Sequence, residues 1–116
     1  MSTAKFNQWL NSDGTENYKC RAWVNFNGTG TVAIRASGNV SSITDNGVGD
    51  YTINFTTAFA DTNYAAVLST RQAATVALVT PAYEVSPSSA SALRIYAFNS
   101  GGALGDYTYI TMAVFR

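Results

Sequence analysis

The sequence predicts an all-β domain, an antiparallel β-sandwich of jelly-roll-like type that follows a short N-terminal arm. Three observations predict it. β-branched and aromatic residues dominate the segments between turns, these segments are short and roughly evenly spaced, and turn residues separate them. The chain has 116 residues, which one domain of ordinary size accommodates. We therefore divide it into an arm over residues 1–18 and one sandwich domain over residues 19–116.

The arm is polar apart from a few large side chains. Phe6, Trp9 and Leu10 have the i, i+3, i+4 spacing that would place them on one face of a single helical turn, which Thr3 would cap. We expect an irregular arm docked on the domain, with the helical turn as the alternative. Asp13–Gly14 predicts a turn near the end of the arm.

The first half of the domain alternates between apolar and polar residues, the pattern of strands with one buried face. A strand is predicted over residues 19–26, with one side formed by Cys20, Ala22, Val24 and Phe26. Asn27–Gly28 then predicts a type I′ hairpin turn, because both central positions of that turn need positive φ. The returning strand over residues 31–37 has one face formed by Val32, Ile34 and Ala36.

Turn residues place the remaining strands. Strands over residues 40–44 and 51–56 flank a turn at Asp45–Asp50. The later gaps contain Pro, Ser and Gly. Further strands are therefore predicted over residues 63–70, 75–80, 93–98 and 107–115.

The last two predicted strands differ from the early ones because both of their faces are apolar. Each sheet of a small sandwich buries only one face, so a second apolar face needs another partner. We expect that partner to be another copy of the chain, with the arm residues Phe6 and Trp9 as the alternative cover. The candidate subunit interface consists of Tyr96, Phe98, Ile110, Met112 and Val114.

Composition excludes several classes of function. The net charge is +0 with 7 basic and 7 acidic side chains, and no basic block is present, which argues against nucleic acid and against anionic membrane surfaces. No run is apolar enough to insert into a membrane. The chain has no His and one Cys, so His-based catalysis, a Cys–His nucleophile and the usual zinc clusters are excluded. We expect no catalytic residue, no metal and no cofactor.

Carboxylates are the remaining source of chemistry. Glycoside hydrolysis needs two of them a few ångströms apart, whereas most of the seven in this chain stand in turn contexts beside Gly or Asn. The loop Asp45–Asp50 is interpreted as a hairpin turn, with a Ca²⁺ site formed by Asp45, Asn46 and Asp50 as the alternative. A glycan hydrolase is the least favoured hypothesis.

Aromatic residues outside the predicted core indicate where the domain binds a partner. Trp23 lies on the face opposite Ala22 and Val24, beside Arg21 and Asn25, where it would stack on a sugar ring or pack against a neighbouring subunit. Three further residues lie near predicted loop ends. The candidate surface-recognition residues are thus Trp23, Arg71, Tyr83 and Tyr107.

Two stretches carry a resemblance to a known class of protein. They are RAWVNFNGTGTVAIR over residues 21–35 and VSSITDNGVGDYTINF over residues 40–55, the second followed by DTNY at 61–64. Together they resemble the terminal domain of many bacteriophage tail fibre and virion structural proteins, especially from environmental and marine phages. The motifs are structural, and no catalytic residue comes with them.

The resemblance implies a non-enzymatic virion protein, a β-sandwich module that forms a homotrimer and contacts the host-cell surface; a surface glycan is our hypothesis for the partner there. It also implies contacts with other virion proteins. The segment Met1–Phe6 lacks the apolar core of a signal peptide, so we expect synthesis in the host cytoplasm and localisation in the virion. The alternative is a capsid decoration protein, an adaptor or a self-assembling extracellular filament subunit, none of which would bind a receptor.

Overall fold

The computed structural model describes residues 9–71, 89–99 and 101–116, together with the backbone of residues 82–85. Within these residues the chain forms eight strands and no helix. The strands are β1 (Cys20–Asn27), β2 (Ala33–Gly38), β3 (Val40–Gly47), β4 (Asp50–Phe55), β5 (Ala65–Arg71), β6 (Ala82–Val85), β7 (Ala92–Ala97) and β8 (Tyr109–Phe115).

The strands form two four-stranded antiparallel sheets that pack face to face. Sheet I has the order β2-β1-β8-β5, and sheet II has the order β3-β4-β7-β6. Consecutive strands pair as hairpins in β1–β2, β3–β4 and β6–β7. The predicted all-β antiparallel sandwich is confirmed.

Alternation along the strands builds the core between the sheets. Every second residue is buried in β4, β7 and β8, and in β1 from Ala22 onwards, which confirms the predicted alternation for β1 and β4, except that Cys20 at the start of β1 is exposed. The largest fully buried side chains come from both sheets and are Tyr51, Phe26, Ile53, Leu93, Ile95, Ile110, Val24 and Val114.

Three residues of the predicted subunit interface belong to this core. Ile110, Met112 and Val114 are 0%, 3% and 0% exposed, so their assignment to an interface between copies is wrong. The reason is that both alternating sets of β8 are apolar, and packing against sheet II selects this set for the interior. Tyr96 and Phe98 are half-buried and lie opposite the core-facing residues of β7.

Between β2 and β3 the chain passes from sheet I to sheet II through one connecting residue, Asn39. This residue has φ 55°, a left-handed conformation that Asn adopts more readily than most residues. Its side-chain amide donates to the carbonyl oxygens of Arg21 and Thr57, and its Oδ1 accepts from the Thr57 amide at 2.7 Å. The Asn39 side chain therefore ties β1 to the segment that follows β4.

The connection from β1 to β2 is longer than the predicted type I′ turn. It contains five residues, and positive φ occurs at Gly30 rather than at Asn27 or Gly28. Asn27 Oδ1 accepts from the Thr29 amide and hydroxyl, which closes an Asx turn instead. Gly28 is needed for space, since a Cβ there would lie 2.5 Å from the Tyr51 hydroxyl.

Other turn and strand predictions had mixed outcomes. The turns at Asp13–Gly14 and within Asp45–Asp50 are confirmed, with Gly14 and Gly49 at positive φ. The strand predicted over 75–80 lies outside the described residues, and β6 was not predicted. The predicted apolar face of β2 is only partly used, because Ile34 and Ala36 are exposed beside a β-bulge in the β1–β2 pairing.

The arm is described from Trp9 onwards. Leu10 pairs with Glu16 in an isolated β-bridge, so this part of the arm is a small loop rather than the end of a helical turn. Trp9 is 53% exposed with Lys19 above its ring, and it does not cover β8. Phe6 and Thr3 lie outside the described residues.

Candidate functional site on the outer face of sheet I

The outer face of sheet I carries the residues that alternate with the core positions of its strands. The cross-strand pairing aligns these residues in rows that run across the sheet. Trp23 pairs with Gly38 and Ala113, and Ala113 pairs with Val67. The next row along the strands contains Asn25, Thr111 and Ser69, and the third contains Tyr109 and Arg71. Successive rows are roughly 7 Å apart, since each residue advances a strand by about 3.4 Å.

The first row is apolar and contains the exposed indole of Trp23. Trp23 is 43% exposed and Val67 is 63% exposed. The indole lies over Gly38, where an added Cβ would collide with Trp23 Nε1. The absence of a side chain at position 38 therefore lets the indole lie against the sheet. A shallow depression of ≈ 360 Å³ extends from Trp23 across Ala113 and Val67 towards Ser69 and Thr111.

The second row supplies hydroxyl and amide groups. The hydroxyls of Ser69 and Thr111 are 2.5 Å apart and hydrogen-bonded to each other. Asn25 Oδ1 accepts from Arg35 Nη1 at 3.3 Å. This bond orients the Asn25 amide nitrogen as a donor, and among the described residues no acceptor bonds to it. The row thus offers both donors and acceptors beside the indole.

The third row brings two arginines to one tyrosine ring. The guanidinium carbon of Arg35 lies 3.9 Å from the ring centroid of Tyr109, and that of Arg71 lies 4.1 Å from it. Both distances are within the range of cation–π attraction. Arg35 reaches the ring from β2, across β1, whereas Arg71 reaches it from β5, on the other side of β8.

Arg35 and Arg71 differ from Arg94 and Arg116, each of which forms an ion pair with an aspartate. Arg94 binds Asp50 through two hydrogen bonds of 3.0 and 2.7 Å, and Arg116 binds Asp61 in the same way. Within the described part of the chain, neither Arg35 nor Arg71 forms an ion pair. Instead, both guanidiniums contact the Tyr109 ring, and Arg35 also donates to Asn25 Oδ1.

The predicted recognition residues separate into three groups. Trp23 and Arg71 lie on this one face. Tyr107 is 9% exposed and donates its hydroxyl to the carbonyl of Phe98, so its assignment to surface recognition is wrong. The reason is that its ring belongs to the hydrophobic core cluster, while its hydroxyl bonds to the residue that follows β7. Tyr83 lies in β6, whose side chains are outside the described residues.

Sequence reasoning missed Arg35 and Tyr109 as members of the face. Alternation along β1 placed Asn25 beside Trp23, because the two residues are two positions apart on the same strand. No local pattern in the sequence indicates that Arg35 and Tyr109 join this face, since their strands β2 and β8 are far apart in the sequence. Their meeting depends on the order of strands in sheet I.

The aspartates are engaged elsewhere by donors of the protein. Arg94 lowers the pKa of Asp50 by hydrogen bonding, and Arg116 lowers the pKa of Asp61 to about 2. Asp13 and Asp45 accept from backbone amides of their own turns. No group of three or more His, Cys, Asp or Glu side chains stands together among the residues described. With Asp50 held by Arg94, the Asp45–Asp50 loop is a hydrogen-bonded hairpin turn.

The outer face of sheet II is polar, and its groups bond to one another. Asn54 Nδ2 lies within hydrogen-bond distance of both Ser42 oxygens and of Thr44 Oγ1. Asn46 donates to Thr52 Oγ1 at 2.8 Å. Tyr96 and Phe98 form an edge-to-face pair beside this ladder. Because these polar groups of β3 and β4 already bond to one another, the described part of this face offers less to a polar ligand than the face of sheet I.

Comparison with protein-family models, curated proteins and solved structures finds no match to this chain. In the part of the chain that is described, no helix has the length and apolar character needed to cross a bilayer.

Proposed function

We propose that this chain is a non-enzymatic virion protein, a tail-fibre-like β-sandwich that forms homotrimers and contacts a glycan on the host-cell surface. The resemblance of residues 21–35, 40–55 and 61–64 to phage virion domains supports the virion role. The observation that carries the binding role is the exposed indole of Trp23, which lies over Gly38 beside a row of hydroxyl and amide groups.

The chemistry of this face suits a sugar. The apolar side of a sugar ring stacks on an indole, while its hydroxyls exchange hydrogen bonds with groups such as Asn25, Thr111 and Ser69. A shallow, exposed site of this kind binds each sugar weakly. A trimer would multiply weak contacts, because each further chain binds at a high effective concentration once the first is attached.

A structural role is the second candidate, and the apolar first row favours it. Trp23 and Val67 expose large apolar side chains next to each other, which also suits a contact with another protein chain. In that case the module would be a capsid decoration protein, an adaptor or a filament subunit. The two candidates differ in the partner that covers Trp23.

Adsorption of the purified protein to host cells tests the leading proposal. Trp23→Ala is expected to abolish adsorption without a change of native mass. Trp9→Ala is the matched control, since Trp9 is an exposed tryptophan of the arm and lies outside this face. Equal adsorption of the Trp23 variant and the wild type would refute the proposed site.

The native mass, measured by light scattering, tests the assembly. A mass of three chains is expected and supports the homotrimer. A monomer would contradict the trimer and favour a module that docks singly on a larger virion component. If Trp23→Ala dissociates the assembly, Trp23 belongs to a subunit contact, and the structural candidate replaces the receptor-binding one.

A further inference from the structure

The third row of the sheet I face concentrates positive charge. Because both guanidinium carbons lie about 4 Å from the centroid of Tyr109, they are within about 8 Å of each other, which is no more than a Debye length at physiological salt. Like charges at this separation repel. The chain has a net charge of +0, so this local excess is not a consequence of a basic protein.

The hydrogen-bonding groups of this row are mainly donors. A guanidinium has five N–H donors and no acceptor, and Arg35 uses one of them on Asn25 Oδ1. The Asn25 amide nitrogen adds donors at the border of the second row. Arg71 has the Tyr109 ring as its contact, and in the described residues no carboxylate bonds to it. A group that only accepts hydrogen bonds and carries negative charge complements this arrangement.

We propose that Arg35 and Arg71, on the two sides of Tyr109, bind an oxyanion of the glycan, either the carboxylate of an acidic sugar or a phosphate substituent. This inference rests on the proposed function, because it names the class of glycan that the face of sheet I recognises. Tyr109 positions both guanidiniums by cation–π contact, so that their planar donor groups remain available for the anion. Trp23 then stacks on a sugar roughly 13 Å away along the strands.

Titration of the intact protein, followed by NMR of the arginine Nε–Hε signals, tests this inference. The probes are glucuronate, inorganic phosphate and glucose, the last as a neutral control. Arg35→Gln and Arg71→Gln each remove one guanidinium from the site. Arg21→Gln is the matched control, because Arg21 is an exposed arginine of β1 that lies towards Arg116, away from Tyr109.

Glucuronate or phosphate is expected to shift the signals of Arg35 and Arg71, whereas glucose leaves them unchanged. Loss of either arginine is expected to weaken binding about tenfold or more, and Arg21→Gln should leave it unchanged. The stronger of the two anions identifies the source of the oxyanion. The inference is overturned if neither anion shifts these signals, or if Arg21→Gln weakens binding as much as Arg35→Gln.

Host-cell adsorption separates this inference from the proposed function. If wild type and both arginine variants adsorb equally while Trp23→Ala does not, the glycan contact stands and the oxyanion site is refuted. If anions shift the Arg35 and Arg71 signals but the wild-type protein adsorbs to no host cell, the oxyanion site stands and the receptor-binding function is refuted.

Discussion

Removal of one buried hydroxyl should have an unusually large effect on stability. The ring of Tyr51 is fully buried, and its hydroxyl lies 2.5 Å from Asp106 Oδ1 and 2.9 Å from the Gly28 carbonyl oxygen. Asp106 also accepts from the Gly49 amide at 2.9 Å. The Tyr51 hydroxyl therefore joins sheet II to the loop after β1 and to the segment that leads into β8.

Tyr51→Phe leaves the ring in place and removes only the donor. A hydrogen bond to a charged group contributes about 1.5–3 kcal/mol, compared with about 0.5–1.5 kcal/mol for a neutral pair. Tyr107→Phe is the matched control, because the Tyr107 hydroxyl is similarly sheltered but donates to a neutral carbonyl, that of Phe98, at 2.8 Å. We expect Tyr51→Phe to lower the free energy of unfolding by about 1 kcal/mol more than Tyr107→Phe does.

Urea unfolding of both variants provides the measurement, with the slope m checked for constancy. Burial, followed by the hydrogen bond to Asp106 and the negative charge of that carboxylate, raises the pKa of Tyr51 well above its ordinary value of 10.0. The hydroxyl is therefore a donor at neutral pH. The combined variant Tyr51→Phe/Asp106→Asn should show a coupling of about 0.5–3 kcal/mol between the two positions. Equal losses in the two single phenylalanine variants would refute the reasoning.

Three further predictions concern other parts of the fold. Gly38→Ala should displace the Trp23 indole from the sheet, because the new Cβ would collide with Nε1. The tryptophan fluorescence should then change while unfolding remains cooperative. An unchanged fluorescence spectrum would contradict the contact between the indole and position 38. Asn39→Ala should lower the free energy of unfolding by about 1–3 kcal/mol in urea melts, since it removes the bonds at the corner between the sheets, and a neutral result would count against that role. The pKa of Asp61 is about 2 when folded, below its ordinary value of 3.8, so the ion pair with Arg116 stabilises the fold above pH 3.8 and this stability is lost as the pH falls towards 2. Asp61→Asn should not show this loss of stability, which urea melts at stepwise lower pH would measure. If wild type and variant lose stability equally as the pH falls, the ion pair does not contribute to the acid dependence.

Local patterns in the sequence were sufficient to predict the class of fold and the buried faces of β1 and β4. In β1 and β4 the apolar residues alternate mostly with polar ones, and the structure buries the apolar set in each, except for Cys20 at the start of β1. This is possible because the period of two is a property of the strand backbone and is written locally in the chain. The same pattern placed Trp23 on the outer face.

The local pattern did not predict the buried face of a strand whose two faces are both apolar, nor the length of a loop that contacts other parts of the fold. In β8 either set of alternating residues would suit a core, and only packing against sheet II decided for Ile110, Met112 and Val114. Asn27–Gly28 has the composition of a tight hairpin, yet the structure has a five-residue loop there, closed by the Asx turn at Asn27 and bonded through the Gly28 carbonyl to the Tyr51 hydroxyl.

The composition of the candidate site depends on the order of the strands in sheet I, which no local pattern predicts. Arg35, Arg71 and Tyr109 stand on β2, β5 and β8, and the strand order β2-β1-β8-β5 brings them together. That order follows from pairings between strands far apart in the chain, whose stability depends on shared burial across the sandwich rather than on any local window of sequence. The sequence thus specified an all-β domain with an exposed tryptophan, and the long-range pairing of its strands brought Arg35 and Arg71 to Tyr109 on the same face, two rows away from that tryptophan.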